Sequence, residues 1–131
     1  MKIIADTNLL LRSIVHDDPQ SQTAEHALAQ AESIVVSLYV LCEMVWVLRN
    51  NYGYSRTEIA FAIHRLLTVR NLETDLIGAE AGLYMLENGG DFADGVIAYD
   101  GLRLGGETFV SFDRKAVTLL RDQGQSAQLL K

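Results

Sequence analysis

Short apolar, β-branched runs alternate with longer helical stretches from one end of the chain to the other, and this restricts the fold more than any other feature. Strands separated by helices cannot pair as hairpins. They pair in parallel through right-handed crossovers, in a sheet covered by helices. Lys2–Ala5 reads as a first strand, and Asp6-Thr7-Asn8 supplies turn and N-cap chemistry for a short helix over Leu9–Val15. Pro19 after Asp17-Asp18 marks a turn, and Ser21–Ala31, rich in Ala, Glu and Gln, is helical. Ser33–Ser37 is a strand, and the nearly all-apolar Leu38–Tyr52 is a buried helix ended by Gly53. Ser55-Arg56-Thr57-Glu58 matches a capping box for a helix to about Thr68. A brief strand at Leu72–Thr74 precedes a helix over Leu76–Glu87, broken by Gly89-Gly90. Asp91 caps a helix to about Leu104, Thr108–Phe112 is a strand, Arg114–Asp122 a last helix and Ala127–Leu130 a last strand.

No linker, repeat or low-complexity segment divides the chain, and its 131 residues suit a single domain over residues 1–131. One cysteine, Cys42, excludes an internal disulfide, and its apolar neighbours predict a buried, inert thiol. The apolar N-terminal run is broken at Asp6, too early for a signal peptide, and the longest apolar stretch, Leu38–Leu48, is too short to span a bilayer. A cytoplasmic protein without a membrane segment is expected. The net charge of −6 argues against a protein that holds nucleic acid by a general basic surface.

That acidity directs attention to carboxylates in unusual places. Asp6 and Asp113 each follow a strand, where open α/β sheets bind ligands, although each also precedes a helix and suits an N-cap. Glu43 is surrounded by Leu41, Cys42, Met44, Val45, Trp46 and Val47, which predicts that it points inward. An inward carboxylate needs a cation, a cleft, or an arginine such as Arg12 or Arg103. Asp94 stands three residues after Asp91, as in a capping pair, yet opens an apolar helix. An oxygen-only set of this kind suits hard cations such as Mg²⁺ or Mn²⁺. His16, His26 and His64 are too scattered for zinc and fit surface or packing roles.

Taken in order, these motifs resemble the PIN-domain ribonucleases, and within them the VapC-type toxins of toxin–antitoxin pairs. The opening Ile3-Ile4-Ala5-Asp6-Thr7-Asn8, the helix Leu41-Cys42-Glu43-Met44-Val45-Trp46, the segment Asp91-Phe92-Ala93-Asp94-Gly95-Val96 and the strand end Val110-Ser111-Phe112-Asp113 carry the resemblance. It implies a Rossmann-like PIN fold with a mostly parallel central sheet flanked by helices, a homodimer, Mg²⁺-dependent cleavage of RNA and inhibition by a cognate antitoxin. It also implies that Asp6, Glu43, Asp94 and Asp113 are the catalytic, metal-binding acids, with Asn8 and Ser111 as supporting polar groups. Three local features differ or vary. The Thr7 hydroxyl is expected to be dispensable, Gly95 to loosen its helix slightly, and Asp100-Gly101 to interrupt it.

Phosphodiester hydrolysis needs an activated water and neutralised phosphoryl charge, which one or two bound metal ions supply. Arg114 and Lys115, directly after Asp113, are the best-placed cations to guide RNA; Arg12, Arg49 and Arg103 are further candidates. Core packing accounts for most of Trp46, Tyr52, Tyr54 and Phe61, with an exposed subset left to line a groove for an antitoxin helix. Two other readings compete. One is a catalytically silent PIN module that acts as a regulatory partner in an antitoxin–DNA complex. The other is a phosphatase or phosphoacceptor domain, which needs a lysine near the strand ends; none lies between Lys2 and Lys115.

Overall fold

The computed structural model describes residues 1–16 and 19–131, so the Asp17-Asp18 part of the expected turn lies outside the described residues. Two compact units divide the chain, residues 1–75 and 76–131.

The first unit runs β1 (Lys2–Ile4), α1 (Thr7–Ile14), α2 (Gln20–Gln30), β2 (Ser33–Val35), α3 (Leu38–Asn50), α4 (Arg56–Leu67) and β3 (Leu72–Glu73). Its three strands pair in parallel in the order β1-β2-β3, with Ile3 opposite Ile34 and Ile34 opposite Leu72. The ladder continues past β1, where the Ala5 amide donates to the Val35 carbonyl at 3.0 Å, so the chain is held up to the residue before Asp6. Leu10, Leu41, Met44, Leu48, Ile59 and Ile63 are fully buried. On α3 and α4 these recur at helical spacing, which gives each helix one apolar side. The α4 capping box is complete: the Glu58 amide donates to the Ser55 hydroxyl at 3.1 Å and the Ser55 amide to the Glu58 carboxylate at 2.9 Å.

The second unit runs α5 (Leu76–Glu87), α6 (Phe92–Arg103), β4 (Phe109–Ser111), α7 (Arg114–Asp122) and β5 (Ala127–Leu129). Strands β4 and β5 are parallel, joined through α7, with Val110 opposite Gln128. Met85, Ala98, Ala116, Val117, Leu119 and Leu120 form the core, with Tyr84, Phe109 and Leu129 packed on it. The α5–α6 turn depends on Gly89, whose φ of +89° disfavours any side chain. Helices α5 and α6 approach so closely that a Cβ on Gly82 would lie 2.7 Å from the Phe92 ring. One on Gly95 would run into the Ala81 carbonyl. Gly95 therefore does not loosen α6; it lets the helix seat against α5. Asp100-Gly101 does not interrupt α6 either, and Arg103 pairs with Asp100 one turn back at 3.3 Å.

All strand pairings are parallel, as the alternating pattern requires, but the hydrogen-bonded ladders form a three-stranded and a two-stranded sheet. Among the described residues no helix is long and apolar enough to cross a membrane.

Candidate active site

In the first unit the chain turns from strand into helix at Asp6. Its extended backbone and its carboxylate cap α1, accepting the Leu9 amide at 2.9 Å. The cap ties down one carboxylate oxygen, Oδ1, and fixes the direction of the side chain. Thr7, the first residue of α1, donates its hydroxyl to Oε1 of Glu43 on α3. The Thr7 hydroxyl, expected to be dispensable, is thus engaged in a hydrogen bond that links α1 to α3. Asp6, Thr7, Asn8, Tyr39 and Glu43 border one open depression of about 390 Å³. Asp6, Glu43 and Asn8, the residue expected to support them, thus line the same depression.

Glu43 does not point inward, as its neighbours suggested; it is exposed. The reason lies in the composition of α3. Its solvent face is made by Tyr39, Glu43, Trp46 and Asn50, so aromatic rings occupy places where charge was sought. Polar atoms at i, i+4, i+7 and i+11 were the signal that reveals this face. Core packing accounts for fewer of the aromatic residues than expected: Tyr52 and Tyr54 are half-buried, and the exposed subset is Trp46 and Phe61. Cys42 is in no disulfide and is half-buried rather than buried. Arg103, one proposed partner of Glu43, pairs instead with Asp100.

In the second unit Asp91 caps α6, accepting the Ala93 amide at 3.1 Å. Asp94, in the first turn, takes no part in the cap. It is half-buried, and its pKa rises from 3.8 to about 6, through desolvation first, then the charges of Asp91 and Asp113. Asp113 ends β4 and caps α7, accepting the Ala116 amide at 3.1 Å. The Ser111 hydroxyl accepts the Asp113 amide at 2.9 Å, which fixes the turn carrying the carboxylate. Ser111 thus supports Asp113. Arg114 and Lys115 are exposed, and the Lys115 side chain lies along Gly89, its Cε 3.3 Å from where a Cβ there would stand. That places its stem beside the turn that leads into Asp91 and Asp94.

Each unit thus holds two of the expected acids. After desolvation, the charges that raise the Asp94 pKa are those of the carboxylates of Asp91 and Asp113. Among the described residues, no three His, Cys, Asp or Glu side chains of either unit are gathered as a metal site. His16 is occupied by Glu25 at 3.0 Å, consistent with a surface role.

The pattern that defines the PIN domain matches residues 3–119, a stretch that runs through both units. The chain belongs to the PIN-domain family, a family of nucleases, and has its Rossmann-like α/β fold. Among solved structures it is similar to the crystal structure of VapC20 of Mycobacterium tuberculosis, described as a sarcin-ricin loop cleaving toxin. The identity is 23%, with 82% of this chain and 86% of that one covered and a TM-score of 0.44. No curated protein matches the sequence.

Proposed function

We propose that the chain is a metal-dependent endoribonuclease, the toxin of a VapBC-type pair, with Asp6, Glu43, Asp94 and Asp113 as its catalytic acids. The observation that carries the proposal is Asp94: a half-buried carboxyl beside two further carboxylates, the setting that a divalent cation relieves. A bound Mg²⁺ or Mn²⁺ supplies charge neutralisation at the phosphoryl group and a more acidic water. The chain's own groups do the rest. Asp6 and Asp113 present carboxylates aimed by their helix caps. The Thr7 hydroxyl donates to Glu43 and fixes the direction of its carboxylate. Asp113 completes a second, weaker metal site or orients water, Asn8 and Ser111 support the acids, and Arg114 and Lys115 meet the phosphate backbone of the RNA.

The expected antitoxin has a surface to fit. A groove of about 680 Å³ in the first unit is bordered by Tyr54, Phe61 and Arg65. Arg65 lies 5.9 Å over the Phe61 ring, which is 63% exposed. An amphipathic antitoxin helix is the proposed occupant, and a cytoplasmic homodimer the proposed form of the toxin.

The test uses purified, antitoxin-free protein with RNA, in Mg²⁺ and in EDTA. Cleavage is expected only with metal. Asp6→Asn and Asp94→Asn, one substitution in each unit, should each abolish it while leaving the circular dichroism spectrum unchanged. Substantial metal-dependent cleavage by either variant would remove that residue from the site. Binding without cleavage by the wild type would favour the silent regulatory module.

A further inference from the structure

The exposed stripe of α3 has more to it than Glu43. Tyr39, Glu43, Trp46 and Asn50 recur at i, i+4, i+7 and i+11, and at about 100° per residue they fall within roughly 60° of one another. The buried residues Leu41, Met44 and Leu48 lie on the other side of the helix. Tyr39 is 72% exposed and Trp46 60% exposed. Two large rings presented to solvent on either side of a carboxylate make a surface that asks for a partner. Tyr39 also borders the depression that holds Asp6, Asn8 and Glu43, so the stripe is continuous with the candidate active site. The Asn50 amide folds back to donate to the Trp46 carbonyl at 2.9 Å, and Arg49, exposed, adds a positive charge beside the stripe.

The chemistry of this face selects its occupant. A wholly apolar helix would have to cover Glu43 along with the two rings and strand its carboxylate against hydrocarbon, and a second copy of the chain would have to bring a cation to meet it. A flexible nucleic acid strand need do neither. Its unpaired bases stack on aromatic rings while ribose and phosphate stay in water, and a neighbouring arginine offsets phosphate charge. The rise from Tyr39 to Trp46 is about 10 Å, and Glu43 lies between. A splayed strand stacked at both ends therefore passes directly over that carboxylate. We infer that Tyr39 and Trp46 are base-stacking residues that draw a single-stranded RNA segment across Glu43. The inference rests on the ribonuclease reading above and deepens it, because a duplex has no unstacked base to offer.

Trp46 is the sole tryptophan, so intrinsic fluorescence reports on this position alone. The experiment titrates cleavage-deficient Asp94→Asn protein in Mg²⁺ with ten-nucleotide oligo(U) and oligo(A), and with a duplex of equal length. Fluorescence anisotropy of labelled RNA gives the affinity. Single strands should quench Trp46 and the duplex should not. Trp46→Ala and Tyr39→Ala should each weaken single-strand binding by about 5- to 100-fold. Trp46→Phe should keep most of the affinity, and melting temperatures should stay unchanged because both rings are exposed. The inference is overturned if RNA binds without altering Trp46 emission and Trp46→Ala binds as tightly as its parent; cleavage by the wild type would then leave the ribonuclease reading intact. It is also overturned if emission follows protein concentration without RNA and Trp46→Ala converts a dimer to a monomer. If the wild type neither cleaves nor binds RNA, both readings fall together.

Discussion

Replacing Asp94 by Asn tests the electrostatics of the second unit without removing volume. The folded-state carboxyl keeps its proton to about pH 6 instead of 3.8, so the folded protein holds more protons than the unfolded chain between those values. Stability therefore falls as pH rises from 3.8 to about 6 and stays reduced above that. At about 1.4 kcal/mol per pH unit, the rise caps the penalty at ~3 kcal/mol. Asp94 is only half-buried, and solvent screening brings the expected figure to about 1–2 kcal/mol. Asp94→Asn should recover it at pH 8 in EDTA. For a chain of 131 residues that is about 4–7 °C in melting temperature. The gain should shrink as pH falls towards 3.8 and vanish below it, where Asp94 is protonated in both states. Mg²⁺ should stabilise the wild type more than the variant, since the cation relieves the same repulsion. Thermal melts of both proteins at pH 4, 6 and 8, in EDTA and in Mg²⁺, make the measurement. A variant less stable than the wild type at pH 8 in both buffers, with no Mg²⁺ response in the wild type, would refute the reasoning and make Asp94 a structural residue.

Three further outcomes are expected. Gly95→Ala drives a Cβ into the Ala81 carbonyl and to 2.8 Å from Met85 Cγ; overpacking should cost about 1–3 kcal/mol, more than the ~1 kcal/mol that alanine gains in helix propensity, and a raised melting temperature would contradict the close approach of α5 and α6. Asp6→Ala should lose about 1 kcal/mol of stability through its α1 cap, whereas Asp6→Asn, an equally good cap, should not; equal melting temperatures for the two would deny the cap. RNA binding should depend only weakly on salt, with a slope that fits roughly two to four phosphate contacts rather than six to ten. A steep slope, measured by anisotropy between 50 and 200 mM salt, the range for which such losses are typical, would reveal a larger basic surface.

Helix and strand positions were the most legible part of the sequence, because their signals are local. The capping box at Ser55 and Glu58 forms as its spacing predicts, and Asp113 starts α7 at Arg114. The parallel pairing follows from strands that alternate with helices. The division of the strands between two ladders is not a local property, and no periodicity carries it. The same distinction separates the readings of Gly95 and Thr7. Helix propensity treats a glycine as a weak point, but its value in α6 is set by Ala81 on another helix. A threonine hydroxyl looks optional until α1 is laid beside α3 and Glu43 comes within its reach. Glu43 itself was misread because hydropathy scales count Tyr39 and Trp46 as apolar. A helix whose exposed face carries rings then looks buried all round.

The four acids divide into two kinds, and the division bears on why capping and catalysis are not rival accounts of them. Asp6 and Asp113 each follow a strand and cap the next helix, and each spends one oxygen, Oδ1, on a backbone amide. A cap is a positioning device: it fixes the carboxylate at the strand end and aims the other oxygen without further support. Glu43 and Asp94 have no capping duty. One is oriented by a threonine hydroxyl, and the other keeps its proton to about pH 6 beside like charges. Each unit thus pairs an acid fixed by its backbone cap with an acid that is not a cap. Geometry comes from the first kind, and from Asp94 comes the electrostatic demand that a divalent cation satisfies. A helix cap at Asp6 or Asp113 is thus evidence about how the proposed site is built, and the function of these acids is decided by Glu43 and Asp94, where no capping duty competes.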